Sequence, residues 1–343
     1  MVPRAILGME PPNLSIRSFL RLSAHIQMLP VLESGEETTL VGGQAVMEGV
    51  MMRAPHSYCV AVRKANGELM TEESPLPKVS EKYPIFKYPV IRGLGTLGQA
   101  MWLGLKALRF SANAALSGIE QPGEAVAKPA QLSNWMMGLN LAFSLLFFIF
   151  LYKFVPLFLA TQLGNYVPSM HGRLAINLVD GAIRIIIFLA FLMAISRMKD
   201  ISRVFEYHGA EHKVVFNFES GKPVTVENAQ KFVTFHPRCG TSFLIVVMLI
   251  SMLVYALLPF DGFAAKFLAR IALLPLVVGL SYELIRFAAK RPGSLMATLT
   301  TPGLWLQRVT TQPPSDEQTA VAIHALNGAM ELERAQGGEL VIA

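Results

Sequence analysis

Two long stretches without a charged residue constrain this chain more than any other feature of its sequence. Residues 134–152 and residues 241–260 contain 19 and 20 residues, respectively, without Asp, Glu, Lys or Arg. A helix needs about 20 mostly apolar residues to cross the hydrocarbon core of a bilayer. Buried helices of soluble proteins rarely run this far without a charge, so we predict an α-helical membrane protein.

Two further stretches are apolar with few polar interruptions, which raises the expected number of spans to about four. The predicted spans are residues 134–163, 174–195, 241–260 and 267–287. The composition agrees with this prediction, because 52% of the residues are apolar and only 16% are charged. A typical soluble domain has about 25% charged residues.

The distribution of Lys and Arg predicts the orientation in the membrane. The loop 196–240 contains seven of them and the region up to Ser133 contains thirteen. The short connections on the other side, near residues 164–173 and 261–266, contain one each. Because basic loops stay in the cytoplasm, we expect a multi-pass protein of the inner (plasma) membrane with both termini cytoplasmic.

Charge and cysteine content restrict the partners. The net charge is +6, but no run of five or more Lys and Arg residues occurs, so we expect no nucleic-acid partner. The expected partners are the lipid bilayer and an unidentified substrate or protein. Two cysteines, Cys59 and Cys239, are too few for a disulfide framework, which fits a reducing cytosol.

The region before the first span divides into three parts. Residues 1–39 read as a variable or disordered N-terminus without the apolar core of a secretory signal. Residues 40–92 read as a cytosolic, β-rich region with a hairpin at Asn66 and Gly67, since Asn-Gly favours tight turns. Residues 93–119 have the pattern of an amphipathic helix that lies at the membrane interface.

The other polar segments are the middle loop and the tail. Loop 196–240 is expected to form two short strands joined at Ser220 and Gly221. The cytosolic tail, residues 290–343, contains a Ser-x-x-Gln capping box that starts a predicted helix over residues 315–334. We therefore expect a small mixed α/β cytosolic part, formed by the N-terminal region and the loop between spans two and three.

The middle loop contains a His-x-x-Glu-His motif formed by His208, Glu211 and His212. On a helix, two histidines four residues apart share a face and can bind one cation, and the adjacent Glu can act as a general base. This is the inverted form of the zinc-protease motif. The motif is short, and Gly209 lowers the helix propensity.

A second pair of metal-binding residue types follows in the same loop. His236 and Cys239 lie three residues apart and could complete a four-ligand set for Zn²⁺, or another divalent metal, with His208 and His212. Four protein ligands would indicate a closed structural site, whereas three would leave an open catalytic position. The alternative is that His236 and Cys239 only cap and pack the start of the third span.

Two other groups of polar residues have both functional and structural interpretations. Glu48 lies in a Gly-rich stretch and could be an acid/base group or a further ligand, and Arg53 could hold Glu48 or an anionic substrate. The alternative is a packed turn with a satisfied ion pair. Asp180 and Arg184 lie four apart within a predicted span, which favours a mutual ion pair or else a proton or ion pathway.

Three segments of the chain, GGQAVMEGVMMR, YHGAEHK and HPRCGTSF, together resemble the YqhQ-like family of bacterial membrane proteins. The resemblance covers about residues 40–326. The family has no known function, and metal-dependent enzyme activity is attributed to it from the same motif. The resemblance implies a membrane protein and supports as site residues Glu48, His208, Glu211, His212, His236 and Cys239. It implies no substrate.

Three functions are compatible with these patterns. The first is a cytosol-facing, metal-dependent enzyme of hydrolytic type, in which His208 and His212 bind Zn²⁺ with help from His236 or Cys239 and Glu211 polarises the attacking water. The second is a non-enzymatic membrane scaffold or assembly factor with a closed structural metal site. The third is a transporter that uses Asp180 and Arg184.

Overall fold

A computed structural model describes residues 41–77, 79–117, 134–167, 172–236, 239–260, 262–290 and 295–335. The described chain is mostly helical, with one small antiparallel sheet near its N-terminal end. The predicted variable segment, residues 1–39, lies outside the described residues.

The sheet is a four-stranded meander in chain order. Its strands are β1 (Gly42–Val46), β2 (Gly49–Arg53), β3 (Ser57–Arg63) and β4 (Leu69–Pro75), and each pairs antiparallel with the next. The turn between β3 and β4 contains Asn66 and Gly67, and Gly67 has the positive φ of 86° that this turn requires. The N-terminal region therefore supplies the whole sheet.

The helices follow in the order α1 (Val79–Lys82), α2 (Ile91–Ser117), α3 (Asn134–Ile149), α4 (Val155–Tyr166), α5 (Arg173–Ile195), α6 (Lys199–Glu219), α7 (Val226–Gln230), α8 (Gly240–Ala256), α9 (Phe263–Ala272), α10 (Leu274–Lys290), α11 (Leu295–Thr310) and α12 (Asp316–Ala335). A 3-10 turn at Pro84–Lys87 precedes α2, and a π-helical segment at Phe150–Phe154 joins α3 to α4.

The two central strands are buried on both faces, which explains why they are apolar almost throughout. On one face, Met51, Tyr58 and Val60 pack against Leu103 and Ala107 of α2. The other face packs against α6 and α12 through Val50, Met52, Cys59 and Ala61. The sheet is thus covered by helices on both sides, and α6 lies directly on it.

Helix α6 corrects the prediction of two strands joined at Ser220 and Gly221. Tyr207, Ala210 and Val214 all lie in the core that covers the sheet. Their spacing of three and four residues is the helical period. This period, and not the short alternation of apolar and polar residues that suggested a strand, determines the structure here. The loop between the second and third apolar stretches therefore contributes helices, not strands, to the small α/β part.

Helix α12 begins where the capping box of the tail predicts. The Ser315 hydroxyl oxygen accepts from the Gln318 N–H at 3.2 Å, and the Gln318 side chain accepts from the Ser315 N–H at 2.8 Å. These two bonds satisfy donors that a helix start otherwise leaves unpaired. The helix then packs against β2, β3 and α6.

Two of the described helices are long and apolar enough to cross a membrane. They are the continuous helix Gly138–Tyr166, with 29 residues, and Arg173–Ile195, with 23 residues. Helices α9 and α10 meet at an angle of 50° and would make a third candidate if they act as one span. Helix α8 corresponds to the third predicted span and is apolar, but it has only 17 residues, about 26 Å at 1.5 Å per residue. It is therefore shorter than the hydrocarbon core of a bilayer, which is about 30 Å thick.

Three charged side chains within the apolar helices, Asp180, Arg184 and Arg270, are paired with one another. Asp180 forms ion pairs with Arg184 at 2.5 Å and with Arg270 at 2.9 Å. Arg270 also donates to Asn177 at 2.6 Å, and Arg184 donates to Ser251 at 2.7 Å. These contacts join α5, α8 and α9, as expected for charges that fix the packing of a bundle.

Candidate metal centre

Helix α6 presents two histidines on one face. His208 and His212 lie one turn apart, and their ring centroids are 4.4 Å from each other. His212 is almost fully buried, whereas His208 is partly exposed. The neighbouring face of α6 packs on the sheet through Tyr207, Ala210 and Val214. This packing fixes the rotation of the helix and therefore the direction in which both imidazoles point.

Backbone carbonyls hold both rings through the same nitrogen. The Nδ1 atom of His208 lies 2.8 Å from the Thr310 carbonyl oxygen, and Nδ1 of His212 is hydrogen-bonded to the Thr234 carbonyl oxygen. A carbonyl can only accept, so Nδ1 is the protonated nitrogen in each neutral ring. Both Nε2 atoms therefore keep a lone pair, as in histidines that bind metals.

Cys239 completes a group of three candidate ligands with the two histidines. Its Sγ lies 3.3 Å from Nε2 of His208, and one ligand atom from each of the three residues falls within 4.8 Å of the others. Tetrahedral ligands around zinc are about 3.3–3.8 Å apart, so small side-chain movements would suffice to enclose an ion. We call His208, His212 and Cys239 the His-Cys cluster.

His236, the fourth predicted ligand, lies beside this cluster and not within it. Its ring centroid is 5.6 Å from that of His212, and its Nε2 is 3.5 Å from a carboxylate oxygen of Glu219. Gln307 of α11 bonds the backbone of His236 on both sides, at 2.7 Å to the N–H and 2.8 Å to the carbonyl. These bonds fix the His236 backbone, and its ring packs on Phe216.

Glu211 lies next to the His-Cys cluster. One carboxylate oxygen is 3.5 Å from Nε2 of His212. Gly43 in β1 makes room for this side chain, because a Cβ at position 43 would lie 2.7 Å from Cγ of Glu211. Gly43 of the GGQAVMEGVMMR segment thus makes room for Glu211 of the YHGAEHK segment.

Glu48, predicted as an acid/base group or a further ligand, is not among the residues of the His-Cys cluster or of the cavity lining described below. It lies in the turn between β1 and β2 with a φ of 52°. Its two carboxylate oxygens accept from Arg203 at 2.5 and 2.6 Å, and Tyr207 donates to it at 3.4 Å. This geometry matches the structural interpretation, a packed turn with a satisfied ion pair.

A cavity of about 750 Å³ opens onto the cluster, Glu211 and His236. Its lining also includes four basic side chains from the end of β2, the 3-10 turn, the start of α2 and the end of α10. We call these residues the basic wall: Arg53, Lys87, Arg92 and Arg286. Only Arg53 could be anticipated from the sequence, because the other three are distant in the chain and belong to no motif.

Burial favours the neutral form of two of these imidazoles, His212 and His236. It lowers the pKa of His212 from its ordinary value and lowers the pKa of His236 to about 4. Neutral imidazole is the form that binds metals. Burial and the carboxylate of Glu73 raise the pKa of the other cysteine thiol, that of Cys59, to about 12.

Fold and site define a class of mostly helical proteins with two or three apolar helices of membrane-spanning length and a group of His and Cys side chains at a cavity. The chain belongs to the family described as "Protein of unknown function (DUF1385)", which matches residues 88–332. It is 36% identical over 300 residues to "Uncharacterized protein YqhQ" of Bacillus subtilis (strain 168), covering 85% of this chain and 92% of that protein. The YqhQ-like resemblance is therefore confirmed. No solved structure matches the chain.

Proposed function

We propose that this protein is a metal-dependent hydrolase of the inner membrane whose active site faces the cytosol. The observation that carries the proposal is the convergence of two Nε2 atoms and one sulfur, with both Nδ1 atoms held by carbonyls. This orientation makes each ring a ready ligand before any ion arrives.

The donor set fits a divalent cation such as Zn²⁺. Two imidazole nitrogens and a thiol sulfur are ligands that zinc accepts in tetrahedral geometry. His208, His212 and Cys239 would hold the ion. When bound, Zn²⁺ supplies Lewis acidity toward a water molecule or a substrate oxygen. Three protein ligands leave a fourth position open, which is the arrangement of catalytic zinc sites.

Glu211 is the proposed general base. Its carboxylate lies 3.5 Å from Nε2 of His212 and faces the same cavity. From this position it can take a proton from a water molecule that attacks a substrate in the cavity. Gly43 allows the carboxylate to approach this closely, and His236 lines the cavity beside it without belonging to the ligand set.

Placement in a membrane rests on the exposed apolar helices. Large side chains on α3 face outward, among them Trp135 at 76% and Phe143 at 70% exposed. Apolar surfaces this extensive favour contact with lipid. We propose four spans, with α8 as a short one and α9 with α10 as a bent one. The excess of Lys and Arg in loop 196–240 then favours a cytosolic site.

Metal analysis of purified protein tests the proposal. The wild-type chain should contain about one zinc equivalent, and His208→Ala and Cys239→Ala should lose it. Glu211→Gln should keep the metal and lose hydrolytic activity, because Glu211 is not among the ligands. His324→Ala, which removes an exposed histidine of α12, is the matched control. Equal metal content in all five proteins would refute the ligand assignment.

A membrane scaffold with a structural metal is the second candidate. The observation that favours it is that the cluster joins α6 to the start of α8, so an ion there would fasten two elements. Substitution with Co²⁺ separates the two functions. Added azide should change the visible spectrum of the cobalt protein if a coordination position is open. An unchanged spectrum would favour the closed structural site.

A further inference from the structure

The basic wall gives the cavity a positive charge that binding of a metal by the His-Cys cluster does not require. Arg53, Lys87, Arg92 and Arg286 face the same space, and the lining that the structure describes contains one carboxylate, that of Glu211. Positive charges that face one cavity repel each other, and an anion in that cavity reduces the repulsion. The site therefore carries a strong preference for negative charge.

Among the described residues, one of the four cations, Arg92, forms an ion pair with a carboxylate, that of Glu283, and the charge of Arg286 also interacts with Glu283 at longer range. Arg92 forms a two-point ion pair with Glu283, whose other contact is the N–H of Val90 at 3.1 Å. Among the described residues, the side chains of Arg53, Lys87 and Arg286 form no hydrogen bond and no ion pair within 4 Å. Three cations of the basic wall thus have their side-chain donors available to a ligand.

Arg53 supports this conclusion in particular. It ends β2, pairs in register with Gly42, and is half-buried. A guanidinium removed from water without a partner loses hydration that nothing in the protein replaces. Burial accordingly lowers the pKa of Arg53 from its ordinary value. A bound anion would restore the lost hydrogen bonds.

The junction that brings the basic wall together is closely packed. A Cβ at Gly93 would lie 2.7 Å from Cβ of Tyr282, so glycine allows α2 to approach α10. Val90 has a φ of 69°, a left-handed conformation that a β-branched residue rarely adopts. Strain of this kind is usually kept at functional sites. The contact places Arg92 and Arg286 on one cavity.

We propose that the cavity binds a phosphate ester through Arg53, Lys87 and Arg286, with its phosphoryl group near the His-Cys cluster. This inference rests on the proposed function and names its substrate class. Guanidinium groups match phosphate oxygens in two-point hydrogen bonds, and a phosphate monoester carries the two negative charges that the basic wall favours. Phe86 and Val79 in the same lining would contact the apolar part of the ester.

The implied reaction is phosphate ester hydrolysis. The oxygen of a water molecule bonds to phosphorus while the P–O bond to the alcohol breaks. Glu211 takes the proton from the water and passes it to the leaving alcohol oxygen. The products are inorganic phosphate and an alcohol, so no oxidant, reductant or second substrate is required.

Binding measurements on the full chain in phosphatidylcholine nanodiscs test the proposal in two arms. The soluble arm titrates inorganic phosphate and glycerol phosphate, and the lipid arm measures how much phosphatidic acid, added to the nanodiscs, is retained by the protein. Arg53→Gln and Arg286→Gln should each weaken binding by about tenfold or more. Arg197→Gln, which removes an exposed arginine outside the cavity, is the matched control and should leave binding unchanged.

Binding in either arm that depends on Arg53 and Arg286 supports the proposal and identifies the source of the phosphate. No binding in both arms, or binding that neither substitution weakens, overturns it. Metal content is read on the same samples. Both variants should retain their metal. A wild-type protein that contains metal but binds no anion contradicts only this inference, whereas missing metal in the wild type contradicts the proposed function.

Discussion

Gly209 in α6 lies directly against the carbonyl group of Gln312. A Cβ at position 209 would be 2.0 Å from the Gln312 carbonyl oxygen and 3.3 Å from Cγ2 of Thr234. The segments that contain Gln312 and Thr234 also supply the carbonyls that hold His208 and His212. The glycine that lowers the helix propensity of the motif is therefore what lets both carbonyl-bearing segments reach the helix.

Gly209→Ala should destabilise the protein and lower its metal affinity. The methyl group would push the Gln312 segment away, at a cost of about 1–3 kcal/mol, and would loosen the carbonyls that orient both imidazoles. Thermal unfolding and zinc titration in detergent measure the two effects. Gly98→Ala in α2 is the matched control, because nothing lies within 4 Å of a Cβ there. It should be neutral or stabilise by up to about 1 kcal/mol.

Glu48→Gln should leave metal binding and hydrolysis unchanged. Glu48 and Arg203 are both substantially exposed, with side chains 36% and 53% accessible, and exposed ion pairs contribute about 0–1 kcal/mol. The substitution should therefore cost at most about 1 kcal/mol of unfolding free energy. If it abolished activity as completely as Glu211→Gln, the separation of Glu48 from the site would be wrong.

Stability of the metal-free protein should fall as the pH drops from about 6.5 to about 4. Burial lowers the pKa of His236 to about 4 in the folded state, whereas an unfolded histidine titrates near 6.5. In this window the unfolded chain binds a proton that the folded chain does not, so unfolding becomes more favourable as pH falls. The lowered pKa of His212 acts in the same direction.

Denaturant unfolding with EDTA at several pH values measures this loss, which should reach a few kcal/mol. His236→Gln should flatten the dependence, and His324→Gln, at an exposed position, should not change it. A pH dependence that is the same in all three proteins would contradict the assignment to His236.

Asp180→Asn should destabilise the helical bundle without affecting the metal. The substitution leaves Arg184 and Arg270 buried with no counter-charge, and breaking such a buried pair costs about 3–5 kcal/mol. Thermal unfolding in detergent should register this loss while zinc content stays at the wild-type value. A fully stable Asp180→Asn protein that lost ion flux would instead favour a transport pathway.

The parts of the site that sequence reasoning could identify are those defined by local spacing. The histidines and Glu211 lie within five residues, so the helical period alone predicts their common face. Cys239 lies 27 residues after His212. It is predicted as a metal ligand because it is a cysteine and lies just before an apolar stretch.

The parts of the site that the sequence could not predict depend on contacts between distant segments of the chain. Glu48 finds its partner Arg203 155 residues away, and the basic wall combines residues from positions 53 to 286. The prediction of a strand after Lys213 was wrong for a related reason. The sequence there fits both the strand period and the helix period, and burial of the helical face against the sheet decides between them. No local pattern reports such contacts, because they arise only when helices and strands pack.

X-ray absorption at the zinc edge tests the central claim most directly, the claim that three protein ligands leave one position open. We expect one sulfur at about 2.3 Å and three nitrogen or oxygen ligands at about 2.0–2.1 Å. The sulfur signal should vanish in Cys239→Ala and persist in Cys59→Ala. The third light ligand should be exchangeable, because it is not supplied by the protein. A spectrum without zinc–sulfur scattering in the wild-type protein would contradict the account.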